Sequence, residues 1–376
     1  MIKRTRRLTL AAALLAALAV GGAAVVPTAT ADPGGAVGGS GDSGSVEYAD
    51  YAGDTGYAGP AAPASGGGHG TPPVIRAELV SKVAPLDPPS PFGHLTVLEG
   101  PAFGPDGRLY FVNLTGAPGQ PKILKFDLPT KAVTPVHADA TSGYSSLQFS
   151  PADGKIYATD FHNGEIDRLN PDGSGFETVF AGPVAGRPMV PDDIAFDKAG
   201  NMYITDYHGT PWSPTGRVVR LDADGTDPIV LQDGLSGPNG ITFTPDFTGV
   251  WVSEYSLGRE NHFALAPDGK SFTDGRVGMS ANIGLHGFDS NTVDAAGNVY
   301  QVVIGTDKIL VWNQKGDLIA TVVVPYPQNG KRLVSNLAIK PGTNTAYVTV
   351  GGDDGGYIYR FRTLAPGIPQ SNGGGA

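Results

Sequence analysis

Short apolar segments along the chain alternate with polar turns, and one version of this pattern recurs six times. In each copy a Pro or Asp begins a turn, a Gly usually ends it, and an aromatic residue follows inside a short apolar run, as in PDGRLY and DAAGNVY. Turn residues followed by β-branched and aromatic residues predict β-hairpins. The aromatic positions are Tyr110, Tyr157, Tyr203, Trp251, Tyr300 and Tyr347, and successive copies lie 46 to 49 residues apart.

This repeat predicts the fold. No convincing 3.6-residue apolar period lies between the copies, so the region is expected to be all-β. A period in the forties with several short strands in each unit is typical of a propeller blade. We therefore predict a six-bladed β-propeller between residues 80 and 365. A β-sandwich with evenly spaced turns is the alternative.

The two ends of the chain differ from the repeat region. Basic residues followed by an apolar run and a small-x-small site predict a signal peptide over residues 1–31. The paired arginines also resemble a twin-arginine signal, which leaves the export route open. Residues 32–75 are rich in Gly, Ala, Ser and Pro and are predicted to be a disordered linker. Residues 366–376 are predicted to be a flexible tail.

The charge and composition of the chain exclude several kinds of binding partner. The whole chain has a net charge of −10, and removal of a basic signal peptide makes the mature chain more negative. This balance argues against nucleic acid and against anionic membranes. The chain contains no cysteine, which excludes disulfides, thiolate metal sites and a lipid-anchored lipoprotein. We expect a secreted, monomeric protein that acts on a small molecule.

One polar position recurs with the repeat. It lies eleven residues before the aromatic residue in five copies, and twelve before Trp251, where the turn is longer. Because the innermost strand of each blade lines the central channel, equivalent positions on six blades should converge on one axis. The six residues are Glu99, Ser146, Asp192, Asn239, Asp289 and Asn336.

This predicted ring suits a hard cation. Three carboxylates in a narrow channel would repel one another unless they take up protons or bind a cation. An all-oxygen set of carboxylates, amides and a hydroxyl favours calcium over zinc, although another divalent cation would fit the same set. The alternative is that these residues cap strands or stabilise turns, as Asn and Asp often do.

Several segments resemble a known family. LEGPAFGPDGRLYFVN, PDDIAFDKAGNMYITD, GPNGITFTP followed by VWVSE, and FDSNTVDAAGNVY are similar to blades of the senescence-marker-protein, gluconolactonase and luciferin-regenerating-enzyme superfamily. The resemblance covers about residues 90–360. The Asp192-Asp193 pair, the Asp289-Ser290 pair and the turn at Pro341 resemble the drug-responsive bacterial lactonases most.

The resemblance implies a six-bladed propeller with a divalent metal, usually calcium, at the channel mouth. Its ligands match Glu99, Asn239 and Asp289, with Asp192 where many members have Asn and with Ser290 as an added ligand or donor. The Asp at position 192 puts a sugar-lactone specificity in doubt. In the lactonase branch, the residues matching Asp192 and Asp289 are needed for activity, so both are candidate catalytic carboxylates.

We therefore expect a calcium-dependent hydrolase that opens a lactone, with metal polarising the carbonyl and a carboxylate activating water. A phosphotriesterase-like hydrolase using the same site and a non-catalytic binding propeller with a structural calcium are the alternatives. Ser146 and Asn336 belong to the ring without an assigned role. His208 and His286 could reach the rim, but we expect them to be loop or packing residues.

Overall fold

The computed structural model describes residues 71–85, 87–88, 95–326 and 332–370, and the structure of these residues is almost entirely β. They form 25 strands and one short 3₁₀ helix, Tyr255–Leu257. The strands assemble into six sheets, which confirms the predicted six-bladed β-propeller. The predicted signal peptide lies outside the described residues, as does nearly all of the predicted linker.

The first three blades are four-stranded antiparallel sheets, each built from consecutive strands. Blade 1 consists of β3 (Leu98–Phe103), β4 (Leu109–Asn113), β5 (Pro121–Phe126) and β6 (Val133–Ala138). Blade 2 consists of β7 (Tyr144–Phe149), β8 (Ile156–Asp160), β9 (Glu165–Leu169) and β10 (Glu177–Ala181). Blade 3 consists of β11 (Pro191–Phe196), β12 (Met202–Asp206), β13 (Gly216–Leu221) and β14 (Ile229–Leu235).

The last three blades use the remaining strands. Blade 4 consists of β15 (Pro238–Phe243), β16 (Gly249–Glu254), β17 (Arg259–Leu265) and β18 (Phe272–Ser280). Blade 5 consists of β19 (Gly287–Val293), β20 (Val299–Ile304), β21 (Lys308–Trp312) and β22 (Leu318–Val323), with β1 (Val74–Arg76) added at its edge. Blade 6 consists of β23 (Arg332–Ile339), β24 (Thr345–Gly352), β25 (Gly356–Arg362) and β2 (Glu78–Ala84).

The chain closes the circle by pairing its two ends. Strand β2 is antiparallel to β25 and supplies the outermost strand of blade 6. Strand β1 is parallel to β22 of blade 5. The propeller therefore begins before the predicted boundary at residue 80, because β1 and β2 satisfy the backbone groups of two sheet edges that would otherwise remain open.

The C-terminal segment also extends further into the fold than the predicted tail boundary. Gly367 bridges to Asp294 and to Pro341, at the feet of blades 5 and 6. Gln370 then accepts a hydrogen bond through its main-chain oxygen from Thr242 Oγ1 at 3.0 Å. Residues 366–370 thus cross beneath three blades, because the turns there present free backbone groups that they can pair with.

The recurring aromatic residue packs neighbouring blades together. Tyr110 meets Phe149 of the next blade edge-on, with ring centroids 5.0 Å apart, and Tyr203 meets Phe243 in the same way at 4.9 Å. Edge-to-face contacts of this kind stabilise a core beyond the burial of their area. Tyr157 meets Phe196 and Tyr347 meets Phe103 in the same way, so the sequence period reflects an inter-blade contact made by four of the six recurring residues.

The innermost strands surround the axis and pack against one another in succession. Each of the six has a register shift against its neighbour near its first residues, where the ladder skips one or two positions. Such β-bulges bend a strand and re-aim its side chains. The bulges fall at the positions where the sequence predicted the polar ring.

Candidate metal centre in the channel

All six predicted ring residues lie near the start of an innermost strand and are buried. They are Glu99 in β3, Ser146 in β7, Asp192 in β11, Asn239 in β15, Asp289 in β19 and Asn336 in β23. The six residues therefore occupy equivalent positions on their strands. These buried polar side chains need hydrogen-bond or metal partners, because an unsatisfied buried polar group costs free energy.

Hydroxyl groups on the second strand of a blade fix the ring residues of the next blade. Each hydroxyl group donates a hydrogen bond to the main-chain oxygen of a ring residue, which the bulge leaves without a partner in the sheet. The pairs are Thr159 with Asp192, Thr205 with Asn239, and Ser253 with Asp289 at 2.8 Å. Because the carbonyl groups are held from behind, the ring side chains keep a defined direction.

A short side-chain hydrogen bond joins two ring residues on neighbouring blades. Asn239 donates from Nδ2 to Asp192 Oδ2 over 2.7 Å. The amide oxygen of Asn239 then has no hydrogen-bond partner among the described residues, and the same holds for Asp289 Oδ2 and Asp193 Oδ1. Three buried oxygens without donors are the ligand chemistry of a hard cation. The donor set therefore fits calcium.

The electrostatics of the channel support the same conclusion. Burial raises the pKa of Glu99 well above its usual range, and repulsion from Asp289, Asp193 and Asp192 raises it further. Burial also raises the pKa of Asp192 and of Asp289, in both cases assisted by the charge of Asp193. A cation at this point would oppose every one of these shifts.

Asp193 is the site residue that sequence reasoning did not assign. Burial raises the pKa of its carboxyl to about 7, and the nearby hydroxyl of Ser290 favours its charged form. In a regular strand Asp193 would point away from the side on which Asp192 lies. The bulge between Pro191 and Ile194 breaks that alternation. The channel therefore holds four carboxyl groups rather than three.

Glycine occupies the position after the ring residue in two other blades. A Cβ at Gly100 would lie 2.5 Å from Ser146 Cα, and one at Gly240 would lie 2.6 Å from the backbone nitrogen of Asn291. The next innermost strand comes so close there that no side chain fits. Asp193 and Ser290 stand at the equivalent positions of blades 3 and 5, so the extra polar groups lie where the channel leaves room.

Above the ring, apolar residues from all six blades form one contiguous cluster. The cluster comprises Leu95, Val97, Leu114, Phe161, Tyr207, Ile304 and Leu333, with Val190 and Tyr255 packed against it. The Tyr207 and Tyr255 rings are 5.8 Å apart, centroid to centroid. We call this cluster the collar. Burial raises the pKa of both tyrosines, and the charges of Asp192 and Asp289 add to the shift, so the collar borders the ring.

The histidines lie outside the ring. His208 Nε2 is 3.1 Å from the main-chain oxygen of Pro188 and 3.3 Å from Asp206 Oδ1, as a loop residue would be. His286 is exposed and packs near Gly305. Of the two ring members without an assigned role, Ser146 Oγ has no partner among the described residues, and Asn336 accepts from the Leu337 backbone nitrogen at 2.7 Å.

A second acidic cluster lies in blade 2. Within the described ranges, Asp160, Glu165 and Asp167 form the one set of three acidic, histidine or cysteine ligands whose oxygens lie within 4.8 Å of one another. Two of the three carboxylates already have donors, since Asp167 accepts from Tyr144 and Thr178 and Asp160 accepts from Asn163. The channel carboxyls are less tightly grouped, but Asp289 Oδ2 and Asp193 Oδ1 are buried and have no hydrogen-bond partner among the described residues.

A closed β-propeller with a carboxylate- and amide-lined channel defines the class of this protein. Residues 97–352 match the family described as SMP-30/Gluconolactonase/LRE-like region, and the chain belongs to that family. A curated relative, lactonase drp35 of Staphylococcus haemolyticus, is 27% identical over 281 residues, which span 72% of this chain and 84% of the relative.

Two solved structures share the fold. A gluconolactonase from Xanthomonas campestris superposes with a TM-score of 0.58 at 21% identity, covering 76% of this chain and 97% of that one. Regucalcin from Agrobacterium tumefaciens, a calcium-binding protein, superposes with a TM-score of 0.60 at 17% identity, covering 79% and 98%. Nowhere in the described ranges is there a helix with the length and apolarity needed to span a membrane.

Proposed function

We propose that this protein is a calcium-dependent lactonase acting at the channel ring. The observation that carries the proposal is the set of buried oxygens without donors, from Asn239, Asp289 and Asp193, surrounded by carboxyls whose pKa is raised. The similarity to a relative named a lactonase supports the reaction class.

The residues divide into those that would hold the ion and those that act beside it. Glu99, Asn239 Oδ1 and Asp289 would hold calcium, with Asp192 and Ser290 beside it. When bound, calcium supplies a Lewis acid that polarises an ester carbonyl. The sequence also leaves room for another divalent cation in this role.

Asp192 is the proposed base. Its Oδ2 accepts from Asn239, so the carboxylate has a fixed orientation while Oδ1 remains to take a proton from water. The hydroxide adds to the carbonyl carbon of the lactone, the ring C–O bond breaks, and the proton passes to the leaving alkoxide. The product is a hydroxy acid. Asp289 is the second candidate for the same role.

The collar bears on the substrate class. A sugar lactone presents hydroxyl groups on every side, whereas the collar offers Phe161, Tyr207 and Leu333 and few polar partners. We propose a lactone or cyclic ester with an apolar body, because the side chains that border the polar ring are apolar and suit a molecule with one polar end.

The decisive experiment is an activity screen of the purified protein on apolar lactones, sugar lactones, aryl esters and phosphotriesters, each with and without EDTA. Apolar lactones should be opened and EDTA should stop the reaction. Phosphotriester turnover without lactone turnover would replace the lactonase proposal by the phosphotriesterase one.

One observation favours a non-catalytic propeller with a structural calcium as the second candidate. The ring and the collar are both buried by their own neighbours, as a sealed channel would be. Calcium binding without turnover of any of the four substrate classes would support this reading.

The remaining proposals concern the export and the oligomeric state of the protein. We propose export through a signal peptide cleaved after Ala31, and a monomeric mature protein that acts on a small molecule. N-terminal sequencing of the secreted protein should begin at Asp32. Sedimentation should give the mass of one chain.

A further inference from the structure

The turns at the foot of the blades differ at one residue. Five of them place a glycine in the left-handed region: Gly107, Gly154, Gly200, Gly297 and Gly342, with φ between 69° and 86°. Blade 4 places Phe247 there, with φ of 63°. A bulky side chain in this conformation is strained, so something must be gained by having phenylalanine where the other blades have glycine.

The Phe247 side chain forms one wall of a cavity at the end of the channel opposite the ring. The cavity has a volume of about 360 Å³. Its walls are largely apolar and come from blades 2, 3 and 4 and from the C-terminal segment: Phe149, Phe196, Phe243, Phe247, Pro151 and Pro369. This volume lies in the range of small-molecule pockets.

The walls are held in place from outside the cavity. Phe149 and Phe243 are 2% and 1% exposed and pack edge-on against Tyr110 and Tyr203. The C-terminal wall is fixed by Gln370, whose Nε2 donates to the main-chain oxygen of Pro245 at 2.9 Å. The cavity is therefore preformed rather than a gap between mobile side chains.

The cavity is lined by one negatively and one positively charged residue, Asp197 and Lys198, and Lys198 is the group that can bind an anion. Asp197 Oδ1 accepts from the backbone nitrogens of Ala199 and Asn201, and Oδ2 accepts from Asn201 Nδ2 at 2.8 Å. Both carboxylate oxygens are therefore hydrogen-bonded within their own turn. Lys198 Nζ lies 4.8 Å from the centroid of the Phe247 ring. No ion pair of Lys198 occurs among the described residues.

We propose that this cavity binds a small apolar carboxylic acid, with its aromatic or alkyl body among the phenylalanine rings and its carboxylate at Lys198. The site lies apart from the channel ring and does not depend on the proposed lactonase activity.

The test compares two probes of nearly the same shape, 4-phenylbutyrate and 4-phenyl-1-butanol, by isothermal titration calorimetry in EDTA. The wild-type protein should bind one molecule of the acid, more tightly than the alcohol. Lys198→Met should weaken the acid about fivefold and leave the alcohol unchanged, since one partly exposed charge pair is removed. Lys125→Met, which removes a lysine over the Tyr110 ring outside the cavity, is the matched control.

Phe247→Gly tests the wall. It gives blade 4 the residue that the other turns carry, so the protein should stay folded, while both probes should bind about tenfold more weakly. Phe247→Asn, which also tolerates the left-handed conformation, serves if the glycine variant does not fold. Absence of saturable binding, wild-type affinity in both the Lys198 and Phe247 variants, or binding that requires calcium would overturn the proposal.

Discussion

Asn239 and Asp192, on neighbouring blades, are joined by a hydrogen bond of 2.7 Å from Nδ2 to Oδ2. The bond orients both side chains at once: it leaves the Asn239 oxygen without a donor among the described residues, and it leaves one Asp192 oxygen for chemistry. An amide and a carboxylate that would each rotate freely in water are thereby given one arrangement.

The first prediction concerns Asp192→Asn. The variant preserves shape and removes the proton acceptor, so turnover of the lactone should fall by roughly 10²–10⁴ while calcium remains bound. Steady-state kinetics and metal analysis on the same preparation check this. Near wild-type turnover would assign the base to Asp289 instead.

A second prediction separates the two aspartates by metal content. Asp289→Ala removes an oxygen that lacks any other partner and should lose calcium affinity, as measured by calorimetry. Asp192→Ala relieves repulsion in a channel with four carboxyls and should retain the ion. The propeller should fold in both, since its core lies between the blades. Equal calcium affinities in the two variants would contradict the assignment.

The third prediction follows from the raised pKa of Glu99, Asp192 and Asp289. Without metal these carboxyls hold protons to higher pH than usual, and calcium binding must displace them. Apparent calcium affinity should therefore rise with pH and fall as the solution is acidified. Titrations in two buffers of different ionisation enthalpy should show proton release. Identical heats and a pH-independent affinity would count against a site made of these groups.

Glu260 provides the fourth prediction, away from the ring. Burial raises the pKa of its carboxyl to about 8, although Asn291 Nδ2 donates to both of its oxygens, at 3.0 and 3.2 Å. The folded state therefore holds a proton that the unfolded state releases near pH 4.5. The free energy of unfolding should therefore fall as pH rises from about 5 to 8, by up to about 1.4 kcal/mol per pH unit from this group.

Glu260→Gln should remove that contribution. Its amide has an acceptor available, because Asn291 Oδ1 lacks a partner among the described residues. Urea denaturation in EDTA at several pH values should give a shallower dependence for the variant than for the wild type. The channel carboxyls contribute the same sign in both proteins, so only the difference reports on Glu260. Parallel curves would show that Glu260 ionises normally.

The blades and the channel ring could be predicted from the sequence because both depend on a local pattern that is repeated in every blade. The recurring aromatic position is visible in the sequence because four of the six residues meet a phenylalanine of the next blade in the same way, and Asp192 and Asp289 lie at a fixed distance before it. Asp193 was missed because its direction depends on a bulge, a backbone feature that the alternation of side chains does not report.

Two other features depend on contacts between distant parts of the chain. The pairing of Val74–Arg76 with blade 5 joins residues about 250 positions apart, and nothing in the apolar pattern specifies such a partner. The cavity wall at Phe247 arises in the same way, since its other side comes from Pro369. The turn signal at Phe247 could have been found, because it lacks glycine where the other copies have one.

The pairing of β2 with β25 also bears on how the chain reaches its folded state. Glu78 faces Arg360 across this pair, and their side chains form an ion pair of 3.1 Å. During synthesis β2 is made long before its partner β25, so it remains an unpaired edge while the first five blades are completed. In a ribosome-bound chain, or in one that crosses a membrane in unfolded form, the incomplete propeller has two unpaired strand edges. Only β25 can pair with β2 and close the propeller, so any truncation before residue 356 leaves both strand edges exposed to association with other chains.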